Sequence, residues 1–263
     1  MKVINLKGNN KVIEGSNVIY DKAKITFQGK NNILFLEGNI NLGESKFLYH
    51  GNNSLAFFRS NYDVIKIPWL DIHNDSVFHM GLNTSHGQIQ IFLGEHKNIF
   101  IGNDNMFSTD ICIRNSDGHL VYSSETKERI NYSRSTFIGD HVWIGQNVII
   151  LKGTQIHSGS IIGAGSIVTG KKIPSNTSWA GNPAKQISKD VFWHREYIHP
   201  WREEDTEKFF KMETDEYIFE HDKNVYIPFD DIDKQLDNCK STDEKLNYLI
   251  KYSSNTNKNR FAF

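Results

Sequence analysis

Residues 138–169 read IGDHVWIGQNVIILKGTQIHSGSIIGAGSIVT. Ile138, Ile144, Ile150, Ile156, Ile162 and Val168 recur every six residues without a miss. Four positions after each of the first five stands a small or β-branched residue: Val142, Val148, Thr154, Ser160 and Ser166. Gly139, Gly145 and Gly163 directly follow three of the aliphatics. A period of six fits neither the 3.6-residue repeat of a helix nor the two-residue alternation of a hairpin. A helix here would also carry seven interior glycines between residues 139 and 170, each costing about 1 kcal/mol relative to alanine. The period does fit a triangular β-prism whose flat faces each consume six residues. The aliphatic side chain points to the axis, the small one sits beside it near the corner, and glycine supplies positive φ where a corner demands it. Coils of such a prism stack at parallel-strand spacing, about 4.8 Å, and a fixed short period is their sequence signature.

Working outward, Ile101, Phe107 and Ile113 lie in phase upstream. From Ile113 to Ile138 is 25 residues, not a multiple of six. The polar stretch from Gly118 to Thr136 is therefore expected to leave the prism as a projecting loop and return. Further back, Gly8-Asn9-Asn10, Asn31-Asn32 and Gly51-Asn52-Asn53 recur at 21 to 22 residues. Each leads into apolar sequence such as Ile33-Leu34-Phe35-Leu36, so these read as irregular coils whose asparagines stack at one corner. Residues 61–88, including Pro68-Trp69, fit no period. All 19 glycines fall at or before Gly181 and the last 82 residues contain none, which divides the chain into a β-helix domain, 1–188, and a mostly helical extension, 189–263. In the extension Ser241-Thr242-Asp243-Glu244 has the form of a capping box before Leu246, Leu249 and Ile250 on one helical face. Trp193, Trp201, Phe209 and Phe210 are expected to be packing surface.

Composition removes several functions. Lys plus Arg is 30 and Asp plus Glu 31, a net charge of -1, so nothing draws the chain as a whole to nucleic acid. Cys112 and Cys239 lie far apart, form no metal-spaced pair and suggest a reducing compartment. The first residues turn polar too early for a signal peptide, and no apolar run reaches the roughly 20 residues of a membrane span. A soluble, cytoplasmic protein is the expectation.

A solenoid alone names no function; the projecting loop does more. Ser116-Asp117-Gly118-His119 stands where the chain leaves the prism, placing a histidine beside a rigid wall. A protonated alcohol is a poor nucleophile, and imidazole, with an unperturbed pKa of ~6.5, is suited to take its proton near neutral pH. Trp143 is a large aromatic at an outward position in an otherwise small-residue repeat. It is expected to line a site or an interface.

Ile113-Arg114-Asn115-Ser116-Asp117-Gly118-His119, the run from Ile138 to Val148, Ile162-Gly163-Ala164-Gly165-Ser166-Ile167-Val168-Thr169 and Ala180-Gly181-Asn182-Pro183-Ala184-Lys185 together resemble the hexapeptide-repeat O-acetyltransferases. Within that family the likeness is greatest to the capsular polysaccharide O-acetyltransferases, such as those modifying polysialic acid, and it covers residues 90–188. It implies a left-handed parallel β-helix, a homotrimer with active sites between subunits, and direct transfer of acetyl from acetyl-CoA to a sugar hydroxyl. His119 is then the general base, and Trp143 places the acetyl group or acceptor. Backbone N–H groups near Gly145 and Gln146 would stabilise the oxyanion or the thioester sulfur. The pantetheine arm would run past Gly163, Ala164 and Thr169, with Lys171, Lys172, Lys185 and Lys189 holding the CoA phosphates. One departure stands out: Gly170 intervenes between Thr169 and Lys171, where many relatives place lysine directly after the threonine.

Other readings keep the fold. The acceptor would be a nucleotide sugar or an antibiotic, or the chain would be a non-catalytic scaffold. The γ-carbonic anhydrases share this β-helix and hold zinc with three histidines. They need a pair about five residues apart, whereas His141 and His157 are 16 apart, and His73 and His79 lie outside the clean repeat. No metal is expected, and His141 and His157 are expected at the surface.

Overall fold

The computed structural model describes residues 1–263. The chain winds as a left-handed parallel β-helix of three faces. Face 1 is a nine-stranded sheet running from Lys2–Leu6 to Lys172–Ile173. Face 2 begins as three strands, from Val18–Tyr20 to Val64–Ile65, and continues as six, from Ser85–His86 to Ala184–Ser188. Face 3 has seven strands, from Lys24–Phe27 to Ile167–Val168. Antiparallel strands close both ends: Lys2–Leu6 lies on Asn10–Glu14 above, and Ala184–Ser188 folds back on Ser178–Gly181 below.

The hexapeptide reading holds residue by residue. Ile138, Ile144, Ile150, Ile156, Ile162 and Val168 are all 0% exposed, and so are Val142, Val148, Thr154, Ser160 and Ser166. Burying each aliphatic stabilises the fold by about 2 kcal/mol. The glycines divide into two kinds. Gly153, Gly159 and Gly165 take φ of +69 to +75 at corners. Gly145 has no such φ; a Cβ there would lie 2.6 Å from the Ala164 nitrogen on the next coil, so close stacking of coils, not backbone twist, requires it.

Upper and lower coils differ in length. Ile33 aligns with Leu55 and Leu55 with Val77, 22 residues per coil, whereas Phe137 aligns with Gln155, 18 residues on. The asparagine ladder forms at one corner of the upper coils: Asn9 donates to Asn31 at 3.0 Å, Asn31 to Asn53 at 3.1 Å and Asn53 to Asp75 at 3.0 Å. Ile99 and its partner Thr136 are 37 positions apart, because the chain leaves the prism beyond the strand Ile111–Arg114 and rejoins it at the strand Thr136–Ile138. The aperiodic stretch 61–88 proves to be solenoid. It supplies Val64–Ile65, Trp69–Ile72, Val77–Met80 and Ser85–His86, one strand or more to every face.

All three helices lie in the extension: α1 (Glu203–Lys208), α2 (Phe229–Asn238) and α3 (Thr242–Ser253), joined by irregular segments. α2 and α3 cover face 1. Their Phe229, Ile232, Leu236, Leu246 and Leu249, with Phe261, form a second core against Ile33, Phe35, Leu55, Phe57, Val77, Phe100 and Phe137. Ser241 caps α3, accepting the Glu244 N–H at 3.2 Å, while the Glu244 carboxylate accepts from Lys240 N–H at 2.8 Å. Ile250 leaves the expected apolar face and is 45% exposed. The end of the chain is tied down by Arg260, 2% exposed, whose guanidinium donates to both oxygens of Asp140 at 2.7 Å.

The tail also overturns the surface reading of two histidines. His141 lies between Trp193, 4.0 Å away, and Tyr217, 4.8 Å away; its Nδ1 meets Asp104 Oδ2 at 2.6 Å. His157 is 0% exposed, donates from Nδ1 to the Ile173 carbonyl at 2.9 Å and packs on Phe229 and Phe263. Both stand at corners, which the isolated prism would expose and the extension buries. Tail aromatics do pack as expected at Trp193, whereas Phe210 remains 86% exposed.

Candidate active site

The strand Ile111–Arg114 is the face 3 strand of its coil, and beyond it the chain turns outward at Gly118, whose φ is +83. Beyond it the loop folds as a small hairpin. Tyr122 bridges Arg129, and the Ile130 N–H donates to the Val121 carbonyl at 3.0 Å. Asn131 locks its base, donating to the His119 carbonyl at 2.6 Å and to Asp117 Oδ2 at 3.0 Å, and accepting the Val121 N–H at 2.9 Å. Lys152, one coil below, pairs with Asp117 and reaches the Asn131 carbonyl at 3.1 Å. From the coil above, Glu95 pairs with Arg129 and accepts the Ser133 hydroxyl at 2.6 Å. Hydrogen bonds from Arg129 and then Ser133 pull the Glu95 carboxyl down to about 2. Burial pushes Asp117 up, but Lys152 and Asn131 outweigh it and hold its carboxyl below the usual range. Two adjacent coils thus fix the backbone at His119, while its side chain stays exposed. A base on a rigid mount with a free ring suits proton transfer to a docked alcohol.

Beside His119 is a cavity of about 370 Å³ lined on the prism side by Asp71, His73, Phe92, Arg114 and Ser116. A second, of about 250 Å³, shares His73, Ser116, Asp117 and His119 and extends under the loop to Glu95, Leu120 and Arg129. Asp71 accepts the Trp69 indole N–H at 2.7 Å and faces His50 Nε2 at 3.2 Å. The His73 ring stacks on His50 at 5.0 Å. Burial, then the neighbouring His50, pushes its pKa below 6.5 against the pull of Asp71.

The remaining expected site residues lie elsewhere on the prism. Trp143 is on face 2, 38% exposed, with its ring 6.0 Å from Trp193. Gly145, Gln146, Gly163 and Ala164 stack at the corner between faces 2 and 3: a Cβ on Gly145 would meet Ala164, and Gly165 N–H donates to the Gln146 carbonyl at 2.8 Å. Lys185 pairs with Ala180 at the lower end of face 2. Thr169 and Lys171 flank Gly170 at the corner between faces 3 and 1, the corner from which the His119 loop also projects, and Gly170 sits against Arg134 at the foot of that loop. Lys172 stands apart on face 1, its Nζ 4.8 Å from the Phe263 ring. Within one chain, therefore, His119 and Trp143 are on different faces, and the lysines form no single cluster. No group of three or more His, Cys, Asp or Glu side chains is placed to hold a metal ion.

Sequence reasoning passed over Asp71, His73, Phe92, Arg114 and Lys152. One signal was available: His50 and His73 are 23 residues apart, close to the upper-coil period, and so stack on one edge. Asp71 and Phe92 became readable only once residues 61–88 were placed in the solenoid.

A left-handed β-helix with a histidine-bearing loop at one corner defines the class of hexapeptide-repeat acyltransferases. Residues 135–170 match the bacterial transferase hexapeptide (six repeats) family. The chain is 31% identical over 191 residues to a polysialic acid O-acetyltransferase of Neisseria meningitidis, covering 73% of this chain and 88% of that protein. A polysialic acid O-acetyltransferase of Escherichia coli O1:K1 / APEC is 49% identical over 98 residues, 37% of this chain; the match spans about a third of that relative, 32%. The crystal structure of the polySia-specific acetyltransferase NeuO superposes with a TM-score of 0.65 at 29% identity, covering 78% of this chain and 88% of that one. This chain belongs to the hexapeptide-repeat O-acetyltransferase family, alongside the polysialic acid O-acetyltransferases. No helix in it is long and apolar enough to cross a membrane.

Proposed function

We propose that this protein transfers an acetyl group from acetyl-CoA to a sugar hydroxyl of a bacterial capsular or surface polysaccharide, polysialic acid being the substrate in its relatives' names. The observation that carries the reading is His119, mounted by Asn131 and Lys152 at the mouth of a sugar-sized cavity. His119 takes the hydroxyl proton as the oxygen attacks the thioester carbonyl. The C–S bond then breaks, and the CoA thiolate leaves with the proton from the imidazolium. The transfer is direct, with no acetyl-enzyme and no metal in any step. Backbone N–H groups near Gly145 and Gln146 would stabilise the oxyanion or the leaving sulfur, with Gly163, Ala164 and Thr169 along the pantetheine arm and Lys171, Lys172 and Lys185 at the phosphates.

The separation of His119 from Trp143 supports a site completed between copies, in a homotrimer. The corner that bears His119 in one copy would face the corner and face that bear Gly145 and Trp143 in the next. Free Cys112 and Cys239 accord with a cytoplasmic enzyme working beside its acetyl-CoA supply.

Thiol release from acetyl-CoA, with and without polysialic acid, tests this. In His119→Ala, polysaccharide-stimulated release is expected to fall by about 10²- to 10⁴-fold with the oligomer intact. Equal release in mutant and wild type removes His119 as the base. Mixing His119→Ala with Trp143→Ala subunits is expected to restore activity, and its failure would tell against a shared site.

A further inference from the structure

Around the His119 cavity the carboxylates are already engaged. Asp117 is held by Lys152, Glu95 by Arg129, and Asp71 by the Trp69 indole and His50. Those pairs also occupy Lys152 and Arg129. Arg114 is the exception: its side chain forms no ion pair, and its Nε is shut from solvent with no hydrogen-bond partner. It points outward from the strand Ile111–Arg114, with its guanidinium 5.0 Å from the Phe92 ring centroid, and both side chains line the cavity that His119 borders.

A guanidinium that is partly desolvated and steadied by an aromatic ring carries a planar fork of donors matched to an oxyanion. No carboxylate neutralises this guanidinium in an ion pair, so an anionic group docked in the cavity would meet an unpaired cation. Carboxylate and phosphate oxyanions share this chemistry. The groups expected to contact the CoA donor lie mainly on face 2 and its corner with face 3, whereas Arg114 lies between His119 and the upper coils of face 3. The acceptor is therefore the source favoured by position.

We propose that Arg114 binds the carboxylate of an acidic sugar in the acceptor, so that the ring lies over Phe92 and presents its hydroxyl to His119. This rests on the acetyl-transfer reading above and adds to it a residue that selects acidic over neutral glycans and fixes which hydroxyl is reached. The engaged carboxylates keep Arg114 available: Asp117, the one that also feels its charge, is bonded to Lys152 and Asn131 instead.

The test measures equilibrium binding of a sialic acid oligomer and of the same oligomer with its carboxyls reduced to alcohols. The proteins are wild type, Arg114→Gln and Arg114→Lys, each also titrated with acetyl-CoA. Wild type is expected to favour the acidic oligomer by about 10- to 100-fold. Arg114→Gln should bind both oligomers equally, at the level of the reduced one, with acetyl-CoA affinity unchanged, and Arg114→Lys should recover part of the preference. Equal weakening of both oligomers by Arg114→Gln would make the residue a structural prop and overturn the proposal. A loss of acetyl-CoA affinity alone would assign Arg114 to a donor phosphate and overturn it equally. The comparison of the two oligomers on unmodified protein stands even where a variant folds poorly, and no preference there also sinks the proposal. Arg114-dependent binding of the acidic oligomer without thiol release upholds the anchor while removing the transfer reading. Thiol release at equal kcat/KM for both oligomers does the reverse.

Discussion

Faces 1 and 3 of the prism point the same kind of aliphatic ladder at the axis and differ in what lies outside it. On face 1 the outward residues are also apolar: Phe35, Phe57 and Phe137 are at most 2% exposed because α2, α3 and Phe261 lie over them. On face 3 the outward residues are mixed, with Trp69 37% exposed beside Asp71, Phe92 and Arg114, while the apolar faces of α2 and α3 are spent on face 1. In sequence the first reads as a continuous apolar run, Ile33-Leu34-Phe35-Leu36, and the second as alternation, as in Trp69-Leu70-Asp71-Ile72. A strand buried on both sides loses its period-two signal, and one that keeps it has a side left for solvent or a ligand. One face serves stability and the other presents the cavity.

The largest expected effect breaks the covered face. Arg260→Ala strips the only cation from Asp140, 12% exposed at its side chain, and leaves a largely buried carboxylate with the Asn103 N–H at 2.6 Å as its donor. A loss of about 3–5 kcal/mol is expected in denaturant unfolding, with the acceptor binding proposed for face 3 unchanged below the transition. A loss under 1 kcal/mol would mean that the tail does not depend on this clamp.

Acid sharpens the same contrast. Burial pushes His79 down to about 3 and His157 down to about 4 from 6.5, and both lie between face 1 and the tail. Each is neutral when folded and gains a proton on unfolding below pH 6.5. Stability is therefore full above pH 6.5 and is lost as pH falls toward the folded values. Between pH 6.5 and 4.5, above the range in which Glu95 would begin to contribute, the loss is expected to reach about 2 kcal/mol per histidine. Unfolding midpoints at pH 7.5 and 5 check this, and a flat profile would mean that the cover opens before global unfolding.

The smallest effect marks the edge of the cover. Ile250→Ser should change stability by less than about 0.5 kcal/mol, because Ile250 faces solvent, whereas Leu249→Ala, one residue away and 0% exposed, should cost about 2–5 kcal/mol. Equal losses would place both residues in one apolar face after all.

Much of this was legible in the chain itself. The six-residue period named the axis-facing residues, and the break from Ile113 to Ile138 fell where the chain leaves the regular strands. The motif around Asp117-Gly118-His119 marked the edge that carries the cavity. Residues 61–88 were not legible, since 22-residue coils alternate strand lengths and turn sizes and leave no short period to detect. His141 and His157 were misread because their burial depends on Trp193, Tyr217, Phe229 and Phe263, which are 52 to 106 residues away in sequence.

By itself, then, the sequence determined the solenoid, its inward ladder and the exit of the His119 loop, because each depends on local spacing repeated along the chain. Only the tertiary structure decided which face the tail covers, that His119 and Trp143 stand on different sides of the prism, and that Arg114 is left without an ion-pair partner. Those outcomes depend on contacts between residues far apart in sequence, where no period constrains which side chain meets which.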